Sequence, residues 1–225
     1  MIYNPFSMEG KTVLVTGASS GIGRATAIEC SRMGAIVIIN GRSESRLQET
    51  YDSLSGDGHQ MHCAGISGHR LFTYLKEGEI EQMFSINFYA PLKLSQLLLK
   101  AKKVNKGGSI VFITSTSGIL SSYIGGSLYS STKGALNGLL KGMALELAAK
   151  HIRVNGVMPS MIETSIMDGG DITQEQFEAD KDLYPLKRYG RPEEVAYAVV
   201  YLLSDAAAWI TGTNLLMDGG RSISY

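Results

Sequence analysis

The sequence predicts an α/β chain built on a doubly wound parallel sheet, in three layers with helices on both faces of the strands. Three observations predict it. A short apolar, β-rich run, Val13-Leu14-Val15, ends at Thr16-Gly17 and passes through a glycine turn into an amphipathic helix carrying Ala25, Ile28, Cys30 and Met33. A second buried-strand run, Ala35 to Asn40, follows at once and completes a βαβ unit. Strand-like runs then alternate with helical patterns to the end of the chain, at Ser109 to Thr114, Val154 to Val157 and Thr213 to Met217.

Bulk properties narrow the function classes. With 225 residues, 44% hydrophobic and 19% charged, the chain suits one well-buried domain and is short for two, so residues 1–225 are expected to form a single domain. Its 21 basic and 21 acidic residues give a formal net charge of +0, which shows no electrostatic footprint for nucleic acid or an anionic membrane. No apolar run reaches the length of a membrane span, and the start MIYNPFSMEG lacks a basic-then-apolar signal pattern; a cytoplasmic protein is expected. Cys30 and Cys63 read as small apolar packing groups rather than a disulfide. His59, His62, His69 and His151 show no ligand spacing, and no metal is expected.

The turn that opens the first helix carries the first functional signal. Gly17, Gly21 and Gly23 remove Cβ atoms where the chain turns, where a phosphate would approach, and where helix and strand pack closely. The helix N-terminus beyond them aims free N–H groups and a positive dipole end at the same spot. The spacing is Gly-x-x-x-Gly-x-Gly, and taken alone it is also compatible with a purely structural turn. At the carboxyl end of the second strand stands Arg42, with no carboxylate at the tip and Glu44 close by. An acidic residue there would hold a ribose 2′-hydroxyl, whereas an arginine accommodates a 2′-phosphate. NADP is therefore expected over NAD.

Ser43 to Leu54 reads as a surface helix and Gln60 to Cys63 as a third strand. Cys63 then runs straight into Ala64-Gly65-Ile66-Ser67, which has the character of the loop after a fourth strand. A parallel crossover needs a helix and a further strand here. In the order 3-2-1-4-5-6 the fourth strand lies beside the first, so its loss would leave backbone groups of the first strand unpaired. A segment is expected to be missing between residues 63 and 64.

A long helix is expected over Gly78 to Lys103, apolar over a surface too broad for one core face, with Asn87 in its middle. A buried amide there needs a partner or holds something. Ser115, Thr116 and Ser117 sit at the carboxyl end of the Ser109 to Thr114 strand, the edge where open α/β sheets bind ligands. Tyr129 and Lys133 are four apart and share a helix face. An ammonium close to a phenol would lower the phenol's pKa towards the range of an acid catalyst, though the spacing by itself fits a surface pair equally. Ser165 to Tyr189 is polar with little periodicity, as a mobile lid would be, while Met158, Met161 and Met167 fit either an apolar pocket lining or loop filler. Pro192 to Ser204 reads as a helix with proline at its start.

In one order the chain carries Thr16-Gly17-Ala-Ser-Ser-Gly21-Ile-Gly23, Asn87, Ser115, Tyr129-x-x-x-Lys133, Pro159 to Thr164 and Asp218-Gly219-Gly220. Over nearly its whole length it thereby resembles the short-chain dehydrogenase/reductases, most of all their 3-oxoacyl-[acyl-carrier-protein] reductase branch. The resemblance implies a Rossmann-type fold, an NAD(P) cofactor and a catalytic set of Ser115, Tyr129, Lys133 and Asn87. Tyr129 would exchange a proton with the carbonyl oxygen, Ser115 would hydrogen-bond that oxygen, Lys133 would hold the nicotinamide ribose, and Asn87 would position a proton-relaying water. Cofactor contacts would come from Gly17, Ser19, Ser20, Gly21, Ile22, Gly23, Arg42, Ala64, Gly65, Tyr129, Lys133, Pro159, Ile162 and Thr164. Two departures stand out: Ser160 occupies a position where glycine is usual, and both the Asn-Asn pair before Ala64 and an Asp after the third strand are absent.

The resemblance implies reduction of a ketone to a secondary alcohol, or the reverse, on a small carbonyl substrate or an acyl carrier protein thioester. A homo-oligomer, a tetramer by the same resemblance, is expected. The alternative is a binding or scaffold protein that keeps the fold, and a nucleotide, without turnover.

Overall fold

The computed structural model describes residues 3–63, 76–164 and 173–224. These fall into two compact units, one formed by residues 3–63, 160–164, 173–207 and 217–224, the other by residues 76–159 and 208–216.

In the first unit, β1 (Thr12–Thr16), β2 (Ile36–Gly41) and β3 (Gln60–Cys63) form a parallel sheet in that order. Thr12 pairs with Ile36 and Ile38 with Gln60, which fixes the register. Between the strands run α1 (Gly21–Arg32) and α2 (Glu44–Asp52), and α7 (Pro192–Leu203) packs beside α1. Val13, Val15, Val37 and Ile39 bury one face of the sheet against Ala27, Cys30, Leu47 and Val200. Side chains alternate across a strand, so Thr12, Leu14, Thr16 and Ile36 share the opposite face. That face is open, with Leu14 37% and Ile36 43% exposed. Burial pushes the Cys30 thiol up to about 12, the behaviour of an inert packing group. The helix expected at the surface after β2 begins at a Ser43 cap that accepts from Arg46 N, and it sinks Leu47 and Thr50 completely.

In the second unit, β4 (Ser109–Ile113), β5 (Arg153–Pro159) and β6 (Asn214–Met217) form a sheet in that order, with Ser109 paired to Arg153 and Ile113 to Val157. The helix α5 (Ser127–Leu147) lays Leu136, Leu140, Ala144 and Leu147 onto Phe112 and Val154. The single long helix expected over Gly78 to Lys103 is three pieces: α3 (Glu77–Phe84), a π turn (Ser85–Tyr89) and α4 (Ala90–Lys100). A π turn holds one residue more than an α turn and is rarely tolerated without a use for it.

Among the described residues β1 pairs with a strand on one side only, and β4 likewise. The expected order is thus present in two halves, with no described strand joined to either free edge. One helix escaped the sequence reading: α6 (Gln174–Lys181) starts at Thr173, whose hydroxyl accepts from Gln176 N while the Gln176 side chain returns to Thr173 N. Its polar, weakly periodic sequence reads as loop, and the capping box is the signal that identifies it.

Candidate active site

The glycine turn between β1 and α1 is shaped as its sequence requires. Gly17 and Gly21 have φ of +71° and +52°, in the left-handed region that favours glycine. A Cβ on Gly23 would run into the Gly17 carbonyl. Two contacts fix the turn: Ala18 N donates to Asn40 O at 2.8 Å, and Ala18 O accepts from the wholly buried Thr50 hydroxyl at 2.9 Å. Thr50 had no signal in the sequence, since it lies 32 residues beyond the turn it braces.

Ser20 opens α1 without a side-chain cap, so the first-turn N–H groups of Gly21, Ile22 and Gly23 receive no capping oxygen from it. Such a cradle suits a phosphate. A Cβ built on Gly41 would sit 3.0 Å from the Ser19 side chain, so glycine lets Ser19 close on the end of β2, and Arg42 beyond it is exposed. Thr164 comes against Gly21, whose Cβ would meet its methyl at 3.1 Å. The loop carrying Ile162 is held by a bridge to Gly190. Residues of the turn therefore fit the diphosphate of a dinucleotide. Ala64, Gly65 and Met167 lie outside the described residues.

In the second unit the strand end after β4 is pulled onto α5. Thr114 N and Oγ1 both donate to Val157 O, at 2.9 and 3.0 Å, and Thr116 N donates to Pro159 O at 3.1 Å. Gly118 lies so close to α5 that a Cβ there would strike the Ser130 carbonyl. That approach brings the Ser115 hydroxyl into hydrogen bonding with the Tyr129 side chain, while Ser115 Oγ accepts from Ser117 N at 3.1 Å.

Lys133 is half-buried, its Nζ donating to Ile113 O at 2.8 Å and standing 5.6 Å from the centre of the Tyr129 ring. It is no surface pair. Asn87, carried on the π turn, donates from Nδ2 to Thr132 Oγ1 at 3.2 Å, and the Thr132 hydroxyl donates to Tyr129 O at 2.7 Å. The buried amide thus has its partner. Thr132, wholly buried, links Asn87 to α5 and was legible only as a hydroxyl between Tyr129 and Lys133.

The electrostatics correct one expectation. Burial holds the Tyr129 phenol above its ordinary value, the Ser115 hydrogen bond pulls the other way, and Tyr123 nearby adds to the rise. In the ligand-free protein, burial rather than the ammonium of Lys133 sets the direction of the phenol's shift. The same burial lowers Lys133 to about 8.

A depressed lysine costs stability while it is charged in both states, below about pH 8, and the cost fades as pH rises towards 10.5. Replacing Lys133 by methionine is therefore expected to stabilise the cofactor-free protein at pH 7 by about 1–3 kcal/mol. The gain should vanish by about pH 10 as the wild type loses its buried charge. Urea denaturation at the two pH values checks both.

Among the described residues, no group of three or more His, Cys, Asp or Glu is placed to hold a metal ion. Nor is any described helix long and apolar enough to cross a membrane.

Comparison with known proteins decides the family. The family model described as Enoyl-(Acyl carrier protein) reductase matches residues 57–222, and that described as short chain dehydrogenase matches residues 11–63. The chain is a short-chain dehydrogenase/reductase. Such enzymes are NAD(P)-dependent oxidoreductases of Rossmann-type α/β fold, and this one is an oxidoreductase by membership.

The 3-oxoacyl-[acyl-carrier-protein] reductase FabG of Rickettsia prowazekii (strain Madrid E) is 32% identical over 237 residues, covering 95% of this chain and 97% of its own. A chloroplastic tropinone reductase homologue of Arabidopsis thaliana is also 32% identical, over 97% of this chain and 78% of the plant protein. Among solved structures, a short-chain dehydrogenase/reductase from Serratia marcescens BCRC 10948 superposes with a TM-score of 0.85 at 28% identity, covering 97% of this chain and 100% of that one. An Agrobacterium tumefaciens structure with bound NADP gives a TM-score of 0.87 at 29% identity, over 97% and 99% of the two chains.

Proposed function

We propose that this short-chain dehydrogenase/reductase reduces a ketone to a secondary alcohol with NADPH, and catalyses the reverse when the balance of substrates demands it. The observation that carries the reading is the gathering of Ser115, Tyr129, Lys133 and Asn87 in one unit, with the Tyr129 phenol hydrogen-bonded by Ser115 and half-sheltered from water. A scaffold has no physical need for all four.

When bound, the cofactor supplies the hydride that adds to the carbonyl carbon. The protein supplies the rest. Tyr129, held protonated by burial across the neutral range, gives its proton to the carbonyl oxygen as the C=O bond becomes C–O–H. Ser115 hydrogen-bonds the same oxygen and steadies its developing negative charge. Lys133, charged below about pH 8, stabilises the phenolate left behind and holds the nicotinamide ribose. Asn87, fixed through Thr132, orients the water that returns a proton to Lys133. Alcohol oxidation needs the phenolate at the outset, so its rate should climb into the alkaline range while reduction does not.

The exposed Arg42 and the NADP in a solved relative support NADP over NAD. Changing Arg42 to aspartate should shift the ratio of kcat/KM for NADPH over NADH by about 10–100-fold towards NADH, the loss of a charge-assisted contact to the 2′-phosphate. The test of the whole reading is NADPH oxidation with a panel of ketones that includes a 3-oxoacyl thioester; no oxidation with any carbonyl, and no cofactor binding, would leave a scaffold. Relatives that act on acyl carrier protein support a 3-oxoacyl thioester as substrate. A cytoplasmic homo-tetramer completes the proposal, supported by Leu97 and Leu145, which stand 62% and 82% exposed.

The proposal also holds that the protein carries a segment between residues 63 and 64 that this 225-residue sequence lacks. Two observations support it: no described strand pairs with the second edge of β1, and the Leu14 and Ile36 face is open.

A further inference from the structure

Ser160 occupies the position where the family pattern has glycine, and its hydroxyl is not idle. Ser160 Oγ hydrogen-bonds Tyr184 OH at 2.9 Å, while Ser160 N donates to Met217 O at 3.0 Å. Tyr184 is itself rigidly placed. It is 4% exposed, it meets Tyr189 edge-on at 5.5 Å, and Tyr184 N donates to Lys181 O at 3.0 Å. Tyr189 in turn donates to Asp180 Oδ2 at 2.8 Å and packs edge-on against Phe177, so α6 and the segment behind it form one aromatic block.

The chain's last turns brace that block from below. Leu186 N donates to Gly219 O, the Ser224 hydroxyl donates to Leu183 O at 3.1 Å, and the absent Cβ of Gly220 leaves room for the Pro185 ring. The loop that begins at Ser160 touches the block in two ways. One is backbone, through Gly190 N to Met161 O at 3.1 Å and Glu163 N to Gly190 O at 2.9 Å. The other is through side chains: the Ser160–Tyr184 hydroxyl pair, a hydrogen bond between the Tyr184 phenol and the Met161 backbone, and Ile162 lying against Gly190.

We infer that Ser160 and Tyr184 form a latch that positions the loop of Ile162 and Thr164, and through it sets the grip on the nicotinamide cofactor. Both are positioning residues. The inference rests on the reading of that loop as cofactor-binding, and it adds a specific pair that a glycine at position 160 would lack.

The test compares Ser160→Ala, Tyr184→Phe, the double variant, and Ser160→Thr as the conservative rescue, each by hydrogen exchange and by NADPH titration. In cofactor-free protein, amide exchange over Met161 to Thr164 should speed about threefold to tenfold in Ser160→Ala, the worth of one hydrogen bond, and at least as much in Tyr184→Phe, which also loses the Met161 contact. The double variant should be no faster than Tyr184→Phe alone, because loss of the phenol hydroxyl already removes the Ser160 contact. Ser160→Thr should restore slow exchange. The Kd and KM for NADPH should rise by a similar factor while kcat changes less than about twofold. Unchanged exchange, or effects that add in the double variant, would overturn the latch. Because exchange is read without cofactor, a protein that fails to bind NADPH defeats the functional reading and still tests the latch.

Discussion

Replacing Tyr129 by phenylalanine is expected to lower kcat for ketone reduction by about 10²–10⁴-fold, the range a positioned general acid contributes. The variant keeps the ring, so packing on α5 and the Thr132 contact to the Tyr129 carbonyl survive, and the Kd for NADPH should stay within about twofold. Stability should hold or rise slightly, since the phenol's one described side-chain partner, Ser115, also serves Ser117 N. Steady-state kinetics beside a cofactor titration separates these outcomes. Unimpaired turnover in the variant would mean that the proton comes from elsewhere and that the proposed chemistry is wrong.

Inserting between Cys63 and Ala64 the helix-plus-strand segment of a reductase relative is expected to raise the melting temperature by about 10 °C and to increase soluble yield. The arithmetic is simple. Each backbone group that gains a partner along β1 recovers about 1–3 kcal/mol if it was otherwise dry. In a chain of this size each kcal/mol shifts the melting point by roughly 2–4 °C. An apolar strand with a free edge also invites pairing between molecules, so aggregation should fall as well. A glycine-serine insert of equal length is the control and should give neither gain. No difference between the inserts would overturn the missing segment. The intact mass of the native protein decides independently, since a value of 24.3 kDa, that of the 225 residues alone, would refute the missing segment.

Much of the fold was legible because its strands are apolar runs bounded by glycine and polar turns, and because β4 to α5 carries its chemistry in a short stretch. Ser115, Tyr129 and Lys133 were found by position at a strand end and by helical spacing, and the structure gathers them with Asn87. Other features were hidden for physical reasons. Thr50 and Thr132 act through single hydrogen bonds to backbone carbonyls, and a hydroxyl on a helix gives no sign in sequence of which carbonyl it reaches. Gly118 matters by what it permits, a close approach of loop to helix, which only the partner's position reveals. The phenol's acidity was misjudged because spacing shows a nearby charge but not how deeply both groups are buried, and here burial dominates. α6 is hidden in the sequence because it is held by a cap and by Phe177 packed edge-on against Tyr189 rather than by a periodic apolar face.

The π turn at Ser85–Tyr89 has a geometric corollary. An α-helix advances about 100° per residue, so one surplus residue re-phases everything beyond it by that angle. The sequence from Ala90 onward is therefore written in a different rotational frame from the sequence before Phe84, and its leucines look smeared around the axis only when both are read on one helical wheel. Shortening the segment by a single residue would merge the frames and swing α4's side chains a quarter-turn or more away from the surfaces they now meet, with Asn87 carried along.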